Sequence, residues 1–125
     1  LAGKTAGGII CYDLRFPELT RRMTLSGASI IFVPSQWPRA RRKLFRSLLR
    51  ARAAESQIFV VGCNIGGEHL GVIFNGGGGI AHPAGNMLKG SIISDGITDF
   101  EIEFGDVDDV RAHIDCLSDL RPDEY

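Results

Sequence analysis

The sequence predicts an α/β fold, and three observations carry that expectation. Three continuous apolar runs, residues 6–12 (AGGIICY), 28–33 (ASIIFV) and 58–63 (IFVVGC), have the length and composition of strands buried on both faces. Segments of helical period lie between them. After the third run come only short strand-like stretches separated by glycine-rich turns. Buried strands joined by helical crossovers imply a parallel sheet with helices on at least one face.

Each element has its own justification. The first strand, residues 6–12, runs into a turn at 13–17, and residues 18–25 form a short helix stopped by Gly27. The second strand, 28–33, ends at Pro34, which has no N–H to give to a ladder. Residues 39–57 form the longest helix, in which Leu44, Phe45, Leu48 and Leu49 make i, i+4 pairs along one apolar face. The third strand follows at 58–63. The second half reads as a β meander with strands at 69–74, 79–82, 87–91 and 97–104, divided by NGGGG at 75–79, PAGN at 83–86 and SDG at 94–96. In the last strand Asp99, Glu101 and Glu103 alternate with Phe100, Ile102 and Phe104, the pattern of a sheet with one face in water. Residues 106–114 form a short helix whose acidic first turn complements the helix dipole, and 116–125 are an irregular tail. With no internal repeat and no linker, residues 1–125 form one unit.

Composition narrows the function classes. A chain of 125 residues can bury roughly two thirds of its unfolded surface, so it needs no disulfide or metal staple. Its three cysteines, Cys11, Cys63 and Cys116, show neither a disulfide framework nor zinc-ligand spacing, and His69, His82 and His113 show none either, so no metal site is expected. No apolar run approaches the length of a membrane span and the start has no signal-peptide pattern, so the expected location is the cytoplasm. The net charge of -1 hides an asymmetry: residues 39–52 hold seven of the 14 basic side chains, and residues 95–124 hold 11 of the 15 acidic ones. Phe45, the one aromatic residue inside the basic run, belongs to the apolar helix face and is not presented for base stacking, so the run reads as a solvated helix face and not as a nucleic-acid groove.

The chemistry concentrates in GGIICYDLRFPEL, residues 7–19. Cys11 sits at the carboxyl end of a buried strand, before a polar turn and a helix, where an open α/β sheet presents reactive groups. By position alone it is either a core residue or a nucleophile. In the second case the backbone N–H of Tyr12, the next residue, would point at a developing oxyanion.

Those residues, followed by SQWP at 35–38, RARAAESQIFVVGCN at 50–64, FNGGGGIAHPAGNML at 74–88 and LSDLRPDEY at 117–125, resemble the carbon-nitrogen hydrolase family, the nitrilase superfamily. The resemblance implies a four-layer αββα sandwich, of which this chain would cover about the carboxyl-terminal half. It also implies hydrolysis of a non-peptide carbon-nitrogen bond through a thioester, with a cysteine nucleophile, a glutamate base and an oxyanion-holding lysine. Only the cysteine maps here, onto Cys11. The base and the lysine lie well upstream of the nucleophile in the family, and only ten residues precede Cys11, so the amino-terminal half of the domain is expected to be missing. A thiol with no paired base is only a few per cent thiolate at neutral pH, so the 125 residues alone should be a poor catalyst.

The motif combination is most similar to the ω-amidase-like branch, which implies a small linear amide as substrate. The alternatives are a nitrile, N-carbamoyl or β-ureido substrate, or a non-catalytic interaction module that has lost the base and the lysine. Arg15 either pairs with Asp13 to fix the turn or clamps a substrate carboxylate. Trp37 is either core or pocket wall, and Gln36 is a substrate-binding candidate beside it. Asp13, Glu55 and Asn64 are expected to be structural near the site, Glu55 by pairing with an arginine. His82 stands where the family usually has Asp and Ala84 where it usually has Trp, so the turn at 83–86 is expected to pack loosely, and Phe45 likewise takes a place where many relatives have Trp. No metal or organic cofactor is expected, because thiolate attack and an oxyanion hole suffice. The resemblance further implies a homodimer or a larger homo-oligomer.

Overall fold

Three parallel strands and the two helices that join them frame the computed structural model, which describes residues 3–94 and 96–124. Strands β1 (Thr5–Gly8), β2 (Ala28–Ser35) and β3 (Phe59–Asn64) alternate with helices α1 (Pro17–Leu25) and α2 (Arg42–Ser56). The order in the sheet is β1-β2-β3-β6, where β6 (Gly79–Ala81) closes the edge antiparallel to β3. On one face Ile31, Val33, Ile58 and Val60 pack with Phe45, Leu49 and Ala53 of α2 into the main core. The expected βαβαβ unit is therefore present.

The first strand departs from expectation in length and burial. It ends at Gly8, and Thr5, Ala6 and Gly8 are exposed because β1 lies at the sheet edge with one face uncovered. The Ile9 N–H still reaches the Phe32 carbonyl at 3.0 Å, but the next N–H, of Ile10, is taken by the Asp13 carboxylate at 3.0 Å. A side-chain acceptor three residues ahead thus turns the chain out of the ladder into a 3₁₀ turn, Cys11–Arg15, where a plain turn was expected. Strand β2 runs through Pro34 to Ser35 instead of stopping at Pro34. Pro34 pairs with Cys63 on the β3 side, and β1 reaches no farther than Phe32, so the missing N–H is tolerated as at an edge.

The long helix begins as a 3₁₀ turn, Arg39–Arg41, before α2, and it ends on Gln57 in the left-handed region at φ 53°. Phe45 and Leu49 are buried while Leu44 is exposed, so the apolar stripe is narrower than the sequence suggested. Where α2 crosses β3 the packing is tight: a Cβ on Gly62 would lie 2.5 Å from Leu49 Cδ1, so the buried Leu49 side chain would have to shift.

The second half is not a meander. Residues 66–75 form a hairpin of β4 (Gly66–His69) and β5 (Val72–Asn75), turning at Leu70 and Gly71, both with positive φ. That pair is a two-residue hairpin loop of primed type, concealed in the sequence by an apolar Leu at a turn position. A separate ribbon pairs β7 (Ser91–Ser94) with β8 (Ile97–Asp99), and Met87 contributes only a single bridge to Ala81. Beyond Asp99 there is no ladder, yet the alternation holds. Phe100, Ile102 and Phe104 pack against Ile30, Phe59, Ile80 and Val107 on the second face of the main sheet, while Glu101 and Glu103 are exposed. Helix α3 (Gly105–His113) supplies Val107 to that cluster.

The turn at 83–86 is pinned, not loose. His82 Nε2 faces Asp106 Oδ2 at 3.1 Å, and its Nδ1 accepts the Ala84 N–H at 3.0 Å. Part of the second face has no cover: Phe32 is 40% exposed and Pro34 and Cys63 are exposed beside it.

Candidate active site

Cys11 is the first residue of the 3₁₀ turn and holds φ at 47°, a conformation uncommon outside glycine and found where surrounding contacts over-determine the backbone. Those contacts can be named. The turn's first internal bond runs from the Asp13 N–H to the Ile10 carbonyl at 2.9 Å, so the Tyr12 N–H lies ahead of the turn's own ladder. The Cys11 carbonyl accepts Trp37 Nε1–H at 3.3 Å, and Cys11 Sγ accepts the Gln36 N–H at 3.5 Å. Two segments 25 residues apart therefore meet at the sulfur.

Trp37 is set by Asn64. Its N–H donates to Asn64 Oδ1 at 2.6 Å, and Asn64 Nδ2 donates to the carbonyls of Trp37 at 3.0 Å and Gly76 at 2.7 Å. Asn64 thus ties the loop after β2, the end of β3 and the glycine turn together. The indole is 4% exposed and leans on Phe45 with ring centroids 5.5 Å apart. It serves as core and as pocket wall at once, which joins the two readings of Trp37.

Arg15 does not pair with Asp13. The carboxylate of Asp13 is engaged by the Ile10 N–H, and the Arg15 guanidinium lies between two rings, 5.1 Å from the Tyr12 centroid and 4.8 Å from that of Trp37. Such stacking fixes the plane of the cation and leaves its edge for a ligand. Among the described residues, Arg15 Nε is buried with no hydrogen-bond partner. Cys11, Tyr12, Arg15, Gln36, Trp37 and Arg41 line one open cavity of about 400 Å³, so five of the expected site residues come together there. Asp13, Glu55 and Asn64 stand outside its wall.

Glu55 pairs with an arginine: its Oε1 accepts Arg52 Nη1–H at 3.0 Å. Arg52 was missed as a site residue, and it corrects the reading of the basic run as wholly solvated, because it is buried. The signal was available, since Phe45, Leu49, Arg52 and Ser56 follow the i, i+4, i+7, i+11 spacing of one helix face. Arg41, which also lines the cavity, was not singled out by the sequence. Among the described residues no three His, Cys, Asp or Glu side chains gather into a metal-holding group.

A cysteine held in a strained turn at the end of a parallel strand, beside a cavity walled by cationic side chains and a tryptophan, defines a thiol-presenting α/β protein. The chain belongs to the carbon-nitrogen hydrolase family, whose model matches residues 1–112. It is 39% identical over 125 residues to the 2-oxoglutaramate amidase of Bacillus subtilis (strain 168), covering all of this chain and 48% of that protein. Among solved structures it superposes on a carbon-nitrogen hydrolase from Helicobacter pylori G27 with a TM-score of 0.86 at 22% identity, covering 98% of this chain and 48% of that one, which shows the fold alone. It also matches an amidase from Nesterenkonia sp. AN1, at 33% identity and a TM-score of 0.66 over 70% of this chain and 34% of that one. That structure shows covalent addition of the acetamide moiety of fluoroacetamide at the active site cysteine. The chain spans about half the length of the curated relatives it matches.

Proposed function

We propose that the full-length protein is a cysteine-dependent amidase acting on a small linear amide that carries a carboxylate, as 2-oxoglutaramate does. The observation that carries this reading is the shared cavity of Cys11 and Arg15: a thiol on a strained turn and a stacked guanidinium open to the same space. The Cys11 sulfur adds to the amide carbonyl, the Tyr12 N–H donates to the oxyanion, and the amine leaves with a proton as the thioester forms. Water then adds to the thioester, releasing the carboxylic acid and restoring the thiol. Arg15 holds the substrate's own carboxylate through its free edge, and Gln36 and Trp37 bound the acyl chain. None of the six named residues lining the cavity is a carboxylate or a lysine, so the reading assigns the glutamate base and the oxyanion lysine to chain outside these 125 residues.

The same reading makes residues 1–125 the carboxyl-terminal half of an αββα domain, whose second sheet covers the open face at Phe32. It also places the protein in the cytoplasm as a homodimer or larger homo-oligomer. Support for the assembly comes from the segregation of basic and acidic residues along the chain, which suits complementary contacts.

The test is ammonia release from 2-oxoglutaramate by the full-length protein. Wild type should turn over, and Cys11→Ala should fall by about three orders of magnitude or more. Equal rates in the two would overturn the assignment.

A further inference from the structure

Arg52 is a buried charge that the proposed chemistry leaves unused. It is 6% exposed on α2, where an unpaired guanidinium would be strongly unfavourable. All three of its nitrogens are committed: Nε donates to the Leu14 carbonyl at 3.0 Å, Nη2 to the Arg15 carbonyl at 3.0 Å, and Nη1 to Glu55 Oε1 at 3.0 Å. The two carbonyls belong to the last two residues of the 3₁₀ turn that begins with Cys11. At the other end of the turn, Asp13 holds the Ile10 N–H. The five-residue turn is therefore clamped at its exit by a side chain 37 residues away in sequence. Both groups that face the substrate cavity, the Cys11 thiol and the Arg15 guanidinium, project from that turn.

We propose that Arg52, with its rotation fixed by Glu55, is a positioning residue that sets the separation of nucleophile and carboxylate clamp. The inference rests on the reading of Cys11 as nucleophile and Arg15 as clamp. Its physical basis is the planar fork of arginine, which can hold two consecutive carbonyls and a carboxylate in one plane; a lysine ammonium cannot span all three. Loosening the clamp moves both groups relative to a substrate that must touch both. A misplacement of 1 Å at a reacting centre costs about 10²-fold in rate.

The test uses the full-length protein and two readouts. The first is alkylation by iodoacetamide, in which the thiolate displaces iodide, followed peptide by peptide with the exposed Cys116 as internal control. The second is the split of kcat and KM for 2-oxoglutaramate. In Arg52→Lys, alkylation of Cys11 should fall by about fivefold or more relative to Cys116, with KM raised and kcat lowered by about tenfold each. Glu55→Gln keeps an acceptor for Nη1 and should stay within about threefold of wild type, whereas Glu55→Ala should reproduce part of the Arg52→Lys effect. A role confined to stability would instead raise alkylation at Cys11 and at the covered Cys63 together, and that result overturns the proposal. So does an Arg52→Lys protein with wild-type values in both readouts. If Arg52→Lys does not fold, Glu55→Ala decides by the same ratio, and an unchanged ratio overturns it. Should Cys11→Ala keep full ammonia release while the Cys11 alkylation ratio still depends on Arg52, the catalytic reading fails and the positioning stands.

Discussion

Asn64 does more for the site than its absence from the cavity wall suggests. Two of its three hydrogen bonds fix the backbone of Trp37 and the third holds the Gly76 carbonyl, and Trp37 in turn holds the Cys11 carbonyl and one face of Arg15. Asn64→Ala leaves the Trp37 N–H and two carbonyls without these partners, a loss of about 1–3 kcal/mol for each group kept from water. The expected result is a lower denaturation midpoint together with a red-shifted emission from Trp37, the single tryptophan of this chain. An unshifted emission would mean that Phe45 alone positions the indole. At Arg15 the expected change is one of specificity. Arg15→Lys keeps the charge but loses the planar stack, so KM for acidic amides should rise by about tenfold or more while neutral amides change little. Equal effects on both would sink the clamp. The spacing of Cys11 to its turn was legible in sequence because nucleophile, turn and helix are contiguous there. The buried face of Arg52 was legible too, but its partners at Leu14 and Arg15, and the place of Arg41 at the cavity, were not, because they depend on segments far away in the chain.

At the scale of elements, the close approach of the glycine turn to β3 is the constraint with the sharpest consequence. A Cβ on Gly78 would lie 2.2 Å from the Gly62 carbonyl oxygen, a contact that backbone cannot relieve without moving β6 off β3. Gly78→Ala should therefore cost about 1–3 kcal/mol or more, read as a fall in the thermal midpoint. A midpoint unchanged within error would show that the edge strand gives way freely. The parallel core was legible because its strands are continuous apolar runs, a signal that persists whatever their neighbours are. The meander was not, because Leu70 occupies a positive-φ hairpin position normally marked by Asn, Asp or Gly. Residues 100–104 show the converse case. They alternate like a strand because they lie across an apolar face, and periodicity reports burial without saying whether a ladder partner exists.

For the whole molecule, the sheet is well covered on the α1 and α2 side and only partly covered on the other. The row through Gly8 and Phe32 and the row through Pro34 and Cys63 are open. If these rows are the seat of a second sheet, residues 1–125 expressed alone should self-associate and bind a hydrophobic dye, whereas the full-length protein should not. A monodisperse 125-residue monomer with a cooperative unfolding transition would contradict the half-domain reading. The central claim is the thioester on Cys11, and the intact mass of the full-length protein, quenched in acid during turnover of 2-oxoglutaramate, tests it most directly. The expected result is a species heavier by the acyl group, mapping to the Cys11 peptide and lost in Cys11→Ala. An adduct on Cys63 or Cys116 instead, or sustained turnover with no acyl species on Cys11 at any quench time, would contradict it.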